Sequence, residues 1–530
     1  MTFPQPPMRW DGWGDPGRAS ALPAAQLALV HDLLKVSAAD VDEVPRERVR
    51  LRPSALTPED VAALAEVVGP EWVSTDDRDR LPRAGGKSTP DLLRRRDRGE
   101  QAAPDAVVVP ADEEQVARLL AACAERRLAV VPFGGGTSVV GGLDPERGDL
   151  RAVLSLDLRR FDRLEALDEV SHEAVLGAGL TGPAAERLLA ERGFELGHYP
   201  QSFQYATIGG FAATRSSGQN SAGYGRFDEM VCGLRVVTPA GSLDLGRPAP
   251  KTAAGPDLRQ LFLGSEGTLG VITAVRVRVH PLPEVREYEA WTFPDFAAGA
   301  DALRAVEQLG TGPTVLRLSD EVETALNLAT GDDAAPAGCL AVTAFEGPAE
   351  LVAQRHAATA AVLAAHGGTS LGPEPARHWA ERRFDGPYLR DPLLAEGALV
   401  ETLETATSWS NLAALKQAVT DTVQAKFAEY GSVSLVLCHI SHVYRTGASL
   451  YFTVVGAQRA DPVAQWRDIK AAVNDVLMAR GGTITHHHAV GTDHRAWLAE
   501  EIGAVGVSVL RAVKAALDPA GILNPGKLVP

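Results

Sequence analysis

Cysteine is scarce. Four residues in 530, Cys123, Cys232, Cys339 and Cys438, lie far apart with no C-x-x-C pair. That argues against a disulfide framework or a zinc ribbon and fits reduced thiols. Positive charge is in deficit: 52 Lys and Arg against 68 Asp and Glu leave a net charge of −16. No overall positive field exists to attract nucleic-acid phosphates, so nucleic acid is not expected as a partner. Long apolar runs are missing too; no stretch reaches the roughly 18 residues of a membrane span. The opening MTFPQPPMRWDGWG has no basic region followed by an apolar run, so no signal peptide is expected. The ending KLVP is not a peroxisomal address. A cytoplasmic setting is the resulting expectation. The chain is too long for one core and implies about two or three domains.

Glycine, by contrast, is concentrated. Residues 132–142 read PFGGGTSVVGG, five glycines in eleven residues. Glycine permits tight turns and close backbone approach to a ligand. Successive free N–H groups form an anion-binding concavity, to which two hydroxyls add donors, and polyphosphate is the natural guest. No Gly-Lys-Ser/Thr follows, so this is not a Walker loop. Residues 105–110 read as a buried strand, 113–127 as a helix with Val116, Leu119, Leu120 and Cys123 on one face, and 128–131 as a second apolar run. The loop therefore ends a strand–helix–strand unit. Residues 177–182 (GAGLTG) also fit G-x-G-x-x-G, but the approach DEVSHEAVLG is charged and alternating. A central parallel strand should be almost continuously apolar, so a dinucleotide-binding Rossmann unit is rejected. Two further Gly-rich stretches, 198–228 and 261–273, complete the set.

The expected fold class is α+β. A mostly helical N-terminal region spans residues 1–100, with a helical patch at 24–36, two tryptophans in MRWDGWG expected to pack onto the body, and RRRDRG at 94–99 as a solvated charged loop. The Gly-rich region occupies 101–283. From 284 to 478, β-like runs at 288–293, 339–345, 433–440 and 448–455 alternate with Ala-rich helices at 296–309 and 352–366, a pattern for an antiparallel sheet. A C-terminal segment, 479–530, carries GGTITHHHAVG, a helix over about 505–517, and DPAGILNPGKL.

Three Gly-rich segments in this order, with that tail, resemble the FAD-binding fold of the vanillyl-alcohol oxidase and cresol methylhydroxylase superfamily. The resemblance implies a two-subdomain FAD-binding (PCMH-type) domain over 101–283, an α+β cap over 284–478, and a C-terminal segment returning to the FAD domain and active site. It implies cofactor contacts from Pro132, Phe133, Gly134, Gly135, Gly136, Thr137 and Ser138 around the pyrophosphate. Pro200, Gln201, Ser202, Phe203, Gln204, Tyr205 and Ala206, then Ala213, Thr214, Arg215, Ser216 and Ser217, then Glu266, Gly267, Thr268, Leu269, Gly270, Val271 and Ile272 would line the rest. Members with covalent flavin often carry histidine in the first loop. GGGTS has none, so FAD is expected to be non-covalent.

Within the superfamily the chain is most similar to the alkyldihydroxyacetonephosphate (alkylglycerone-phosphate) synthases. The matching segments are W-x-G-W-G, T-I-G-G-F-x-x-T-R-x-S-G, Y-G-R-x-D-E-M-V, V-L-R-L-S-D (315–320), Y-L-R-D (388–391), E-T-A-T-S-W (404–409), G-A-S-L-Y-F (447–452) and T-H-H-H-A-V-G. The resemblance implies exchange of the acyl chain of acyl-dihydroxyacetone phosphate for a long-chain alcohol, through a flavin N5 adduct and without net redox. It departs where the eukaryotic form has S-G-M-K-K-N and this chain has Ser217-Gly218-Gln219-Asn220, and in lacking the peroxisomal address. Arg390 is the implied phosphate clamp, since a guanidinium fork suits a dianion; the alternative is an ion pair with Asp385. Tyr451 is the implied acid/base, against a core tyrosine in an alternating strand. A phenol of pKa about 10 needs a cation or the flavin to lower it. His486, His487 and His488 are the implied catalytic histidines. On an extended segment 486 and 488 share one face and 487 the other. No metal is assigned, with a zinc site completed by His439 and His442 as the rival. Arg317 matches an arginine needed for activity and acts directly or as internal support. Lipid-like substrates, peripheral membrane contact and a homodimer are the expected associations. The rival functions are FAD-linked oxidation of a 2-hydroxy acid such as D-lactate or glycolate, and flavin binding without turnover.

Overall fold

The computed structural model describes residues 8–18, 22, 24–36, 45–96, 99–328 and 338–530. Among these, three sheets organise the chain. The first has four strands in the order Val73–Ser74, Ala106–Val108, Ala152–Asp157, Leu128–Phe133, the last three mutually parallel. Helix Glu113–Arg126 makes the crossover. The Asp112 carboxylate caps it by accepting the Gln115 N–H at 2.8 Å, and Val116, Leu119, Leu120 and Cys123 are buried as their spacing requires. The strand Leu128–Phe133 runs straight into the glycine loop.

The second sheet is antiparallel throughout, in the order Gly241–Leu245, Val231–Thr238, Val271–Arg278, Glu173–Gly177, Leu164–Asp168. The strand feeding GAGLTG is thus flanked by antiparallel neighbours, and no βαβ dinucleotide site forms there. A Cβ on Gly179 would overlap the Leu158 carbonyl, so its glycine serves packing inside the protein.

The third sheet is an eight-stranded antiparallel layer built from residues 285–457. Helices Phe296–Leu309, Leu412–Glu429 and Pro462–Ala479 cover one face, burying Leu450, Phe452, Val454, Val436 and Cys438. Strand alternation sends Tyr451, Thr453, Val455, Leu435, Leu437 and His439 to the opposite face, which borders a cavity.

One sequence expectation fails in the N-terminal region. Residues 94–96 belong to helix Thr89–Arg96, not to a solvated loop, and Arg95 and Arg96 are buried because they reach the carbonyls of Trp10 and Asp11; residues 97 and 98 of that stretch lie outside the described residues. The last helical stretch, Arg495–Leu517, is two helices joined at Gly503, whose backbone is non-helical (φ 71°, ψ 167°), and the second of them is the helix expected over about 505–517. The tail beyond it returns to the glycine loop. Asn524 donates to the carbonyls of Gly142 and Glu266 at 3.1 and 2.7 Å, and Leu523 bridges Val130. No described helix is long and apolar enough to cross a membrane.

Candidate active site

A cavity of about 620 Å³ lies where the sheets meet. Residues 132–139 form one wall. The amides of residues 134–138 donate to no acceptor among the described residues, so this turn presents a row of free N–H groups. Gly136 is left-handed (φ 70°), and a Cβ on Gly135 would overlap the Tyr205 carbonyl. A loop of free amides kept open by glycine fits a polyphosphate. Pro200, Gln201, Ser202, Ala206, Ala213, Thr214, Ser216, Ser217, Glu266, Gly267, Gly270 and Ile272 continue the wall.

Other expected cofactor residues do not reach it. Phe203 stacks on Phe384 (5.5 Å, 18°), and Tyr205 meets Trp13 edge-on. Arg215, at φ 49°, turns outward to the carbonyls of Leu263 and Gln260. Thr268 bonds the Ser265 carbonyl, Leu269 and Val271 fill the cores, and Gln204 lies off the wall on its turn. Alternation and turn geometry point these side chains away from the face their neighbours line.

Opposite the glycine loop, the register sets Tyr451 directly between Glu404 on one neighbouring strand and His439 on the other. The His439 ring stacks on Tyr451 at 4.7 Å and 13°, His487 lies parallel at 5.9 Å, and His488 meets it edge-on at 5.6 Å. The phenol is therefore caged by imidazoles. Burial pushes its pKa up to about 12, and no cation of the protein overcomes that cost, so with the protein's own groups Tyr451 carries its proton at neutral pH. Burial pushes His488 down to about 3 and lowers His487 as well. Both are neutral imidazoles at neutral pH, able to accept a hydrogen bond but resisting protonation.

The histidine segment is not extended. Glu404 draws the N–H groups of His486, His487 and His488 onto one carboxylate at 2.7, 3.2 and 3.0 Å, and accepts the Thr485 hydroxyl at 2.6 Å. Burial opposes charge on Glu404, but the three surrounding histidines and Thr485 hold its carboxyl well below the usual range. The curl breaks the expected alternation: His487 and His488 line the cavity, while His486 turns to the Tyr444 hydroxyl at 2.6 Å. Ring nitrogens of His442, His486 and His487 lie within 4.8 Å of one another, a spacing that could hold a metal ion. The other rival ligand, His439, is engaged elsewhere. It shares Glu323 with Arg317, at 2.8 and 2.5 Å. Against burial, these two partners hold Glu323 well below its ordinary pKa. Arg317 thus also lines the cavity while bracing His439, and through it the Tyr451 ring.

Arg390 lines the same cavity. Asp385 pairs instead with Arg18 at 2.7 Å. Arg390 Nη1 donates to the Lys87 carbonyl at 2.6 Å, while Nε and Nη2 are buried with no acceptor. Leu393, Val400, Leu435, Leu437 and Val455 make an aliphatic wall that continues to Leu326 and Leu389, each 49% exposed. Sequence reasoning had no signal for this wall. Glu404 was visible only as the first letter of a matching motif, and Glu323 not at all.

A glycine-rich anion loop facing a caged phenol on an antiparallel sheet defines the class: an FAD-binding protein of the FAD-linked oxidase type. Residues 104–245 match the FAD binding domain model and 282–528 the model of FAD linked oxidases, C-terminal domain. The chain belongs, more narrowly, to the alkyldihydroxyacetonephosphate synthase family. It is 32% identical to the alkyldihydroxyacetonephosphate synthase of Dictyostelium discoideum, over 99% of this chain and 93% of that one. Identity to the Trypanosoma brucei brucei protein of the same name is also 32%, over 99% and 92%. A solved alkyldihydroxyacetonephosphate synthase superposes with a TM-score of 0.82 at 30% identity, covering 98% and 99%. A mitochondrial D-lactate dehydrogenase (cytochrome) of Arabidopsis thaliana is 30% identical over 81% of this chain and 74% of its own.

Proposed function

We propose that this chain exchanges the acyl chain of acyl-dihydroxyacetone phosphate for a long-chain alcohol on non-covalently bound FAD, with no net redox. The carrying observation is Arg390: a guanidinium whose Nη2 is buried with no acceptor and whose Nε has only a 3.8 Å ion pair with Asp391, in a cavity that also holds an aliphatic wall and an anion loop. A substrate with a phosphate at one end and an alkyl chain at the other satisfies both.

The bond between the ketone's α-carbon and the acyl carboxylate breaks, and the fatty acid leaves as its carboxylate. The alcohol oxygen bonds to that carbon, and the alcohol proton is released to a base. FAD, when bound by the loop at 134–138, supplies the covalent chemistry at its N5. The protein does the rest. Arg390 holds the phosphate as a fork. Tyr451, protonated, returns to the reacting carbon a proton that the carbon has given up, so that its hydrogens are unchanged overall, and the neutral rings of His487 and His488 face it as hydrogen-bond acceptors. Glu404 and the Arg317–Glu323–His439 chain fix the orientation of these groups. The histidines work without a metal in this reading. His486 is already engaged by Tyr444 and His487, and His442 Nδ1 sits at 3.0 and 2.7 Å from the hydroxyls of Ser217 and Ser221. Half-exposed Leu326 and Leu389 support peripheral contact with a lipid surface at the end of the aliphatic wall.

Purified protein is expected to be yellow and to release all its flavin on acid precipitation, because the first loop offers no histidine for attachment; colour left in the pellet overturns the non-covalent assignment. Incubated with acyl-dihydroxyacetone phosphate and a fatty alcohol, with a chelator and without oxygen or an electron acceptor, it should yield alkyl-dihydroxyacetone phosphate and free fatty acid. The likeness to the plant D-lactate dehydrogenase supports one rival. Rapid bleaching of the flavin by D-lactate or glycolate, with no detectable exchange, would decide for it.

A further inference from the structure

The N-terminal strap, residues 9–15, is attached almost wholly through its backbone. Lys87 Nζ donates to the carbonyls of Arg9 and Gly12 at 2.5 and 2.8 Å, and Arg95 Nη1 to that of Trp10 at 2.9 Å. Asp391 Oδ2 accepts the Trp13 N–H at 2.6 Å, and the Tyr388 hydroxyl accepts the Asp15 N–H at 3.1 Å. Both acceptors come from the Y-L-R-D segment that carries Arg390. Gly14 is left-handed (φ 72°), and a Cβ there would overlap the Tyr388 ring, so the strap fits only with glycine at that point.

These contacts hold the strap without using the Trp13 side chain. Yet that side chain is 5% exposed, lines the cavity, and meets Tyr205 edge-on at 5.6 Å and 80°. Its indole Nε1 is buried with no acceptor. A buried donor left unpaired is costly unless a ligand satisfies it. The parallel on the cavity wall is Arg390, whose Nη2 is buried with no acceptor and whose Nε meets Asp391 Oδ1 only as a 3.8 Å ion pair. Trp13 and Arg390 thus each bring a donor without an acceptor to the one cavity, and both are tied to Asp391, Trp13 through its backbone N–H.

We infer that Trp13 is a substrate-binding residue whose indole N–H donates to the same phosphate that Arg390 holds, with the strap closing that end of the cavity. This rests on the phosphorylated-ketone reading above. The two donors differ in kind. The guanidinium supplies charge, whereas the indole supplies one directional bond and an apolar ring that excludes water from it.

The test is calorimetric titration of the FAD-loaded full-length protein with dihydroxyacetone phosphate and, separately, with unphosphorylated dihydroxyacetone. Trp13→Phe keeps an aromatic ring and removes only the donor. It should weaken dihydroxyacetone phosphate about ten-fold or more, the loss expected for a hydrogen bond to a charged group, and leave the affinity for dihydroxyacetone and the melting temperature unchanged. Unaltered affinity for the phosphate overturns the inference and makes Trp13 a packing residue. Arg390→Ala separates the two readings. If it too binds dihydroxyacetone phosphate normally, the phosphate-binding reading itself fails; if it binds weakly while Trp13→Phe does not, only the role of Trp13 fails. Should Trp13→Phe not retain FAD, a Trp379→Phe protein decides instead, since Trp13 is then the remaining tryptophan on the cavity wall among the described residues. One indole N–H proton resonance should move downfield on adding dihydroxyacetone phosphate, and none moving overturns the inference.

Discussion

Tyr451→Phe should lower kcat by about 10²–10⁴-fold, the range for a general acid–base group, with little change in KM. The substitution removes one transferable proton and almost no volume. Because the proton matters at the reacting carbon and not in substrate binding, the loss falls on the transition state. The ring should stay where it is, held by His439 on one side and the histidine segment on the other. The variant should therefore remain yellow and fold normally. Since burial pushes the phenol's pKa up to about 12, the wild-type rate should show no phenol titration across neutral pH. Wild-type kcat in the FAD-loaded Phe variant would make Tyr451 a wall residue and remove the proton donor from the scheme. Rapid-quench measurement of fatty acid release separates a slowed chemical step from slowed product release.

Arg390→Ala should act chiefly on KM. The phosphate is held in ground and transition states alike, so its loss is uniform binding lost. A charge-assisted contact contributes about 1.5–3 kcal/mol, or roughly ten-fold to over a hundred-fold in affinity. Arg390→Lys should recover only part, because an ammonium is a point charge and cannot reproduce the fork. The lysine would also have to keep the bond to the Lys87 carbonyl that now positions Nη1. Both variants should retain flavin, since the anion loop at 134–138 lies on another wall. The diagnostic is selectivity. If Arg390→Ala still prefers phosphorylated over phosphate-free ketones to the wild-type degree, the clamp lies elsewhere, and the glycerone-phosphate substrate comes into question.

The features legible from residue order are those set by short-range physics. PFGGGTS makes an anion loop because glycine admits φ 70° at Gly136 and spares the Tyr205 carbonyl at Gly135. Helix Glu113–Arg126 follows from an aspartate cap and a one-sided apolar face. Rejection of GAGLTG as a dinucleotide site followed from alternation, which is what an antiparallel strand shows. Family motifs carried the FAD assignment for the same reason: they record local geometry that the cofactor requires.

What residue order left open were choices between two faces, or between near and distant partners. Alternation places Tyr451 with Thr453 and Val455, but which side becomes core depends on where three helices from other parts of the chain land. The alternation assumed for His486, His487 and His488 failed because a carboxylate 82 residues away in sequence, Glu404, gathers their amides and curls the backbone. Arg390 was weighed against a neighbouring Asp385 that the fold gives to Arg18. The strap tryptophan was read as packing because nothing local shows that its N–H is left without an acceptor. Residue order alone carries the cofactor loop, the secondary structure around it and the family. Which phenol faces the cavity, which imidazoles surround it and which buried donors lack an acceptor emerge only on folding, because each depends on contacts between segments far apart in the chain.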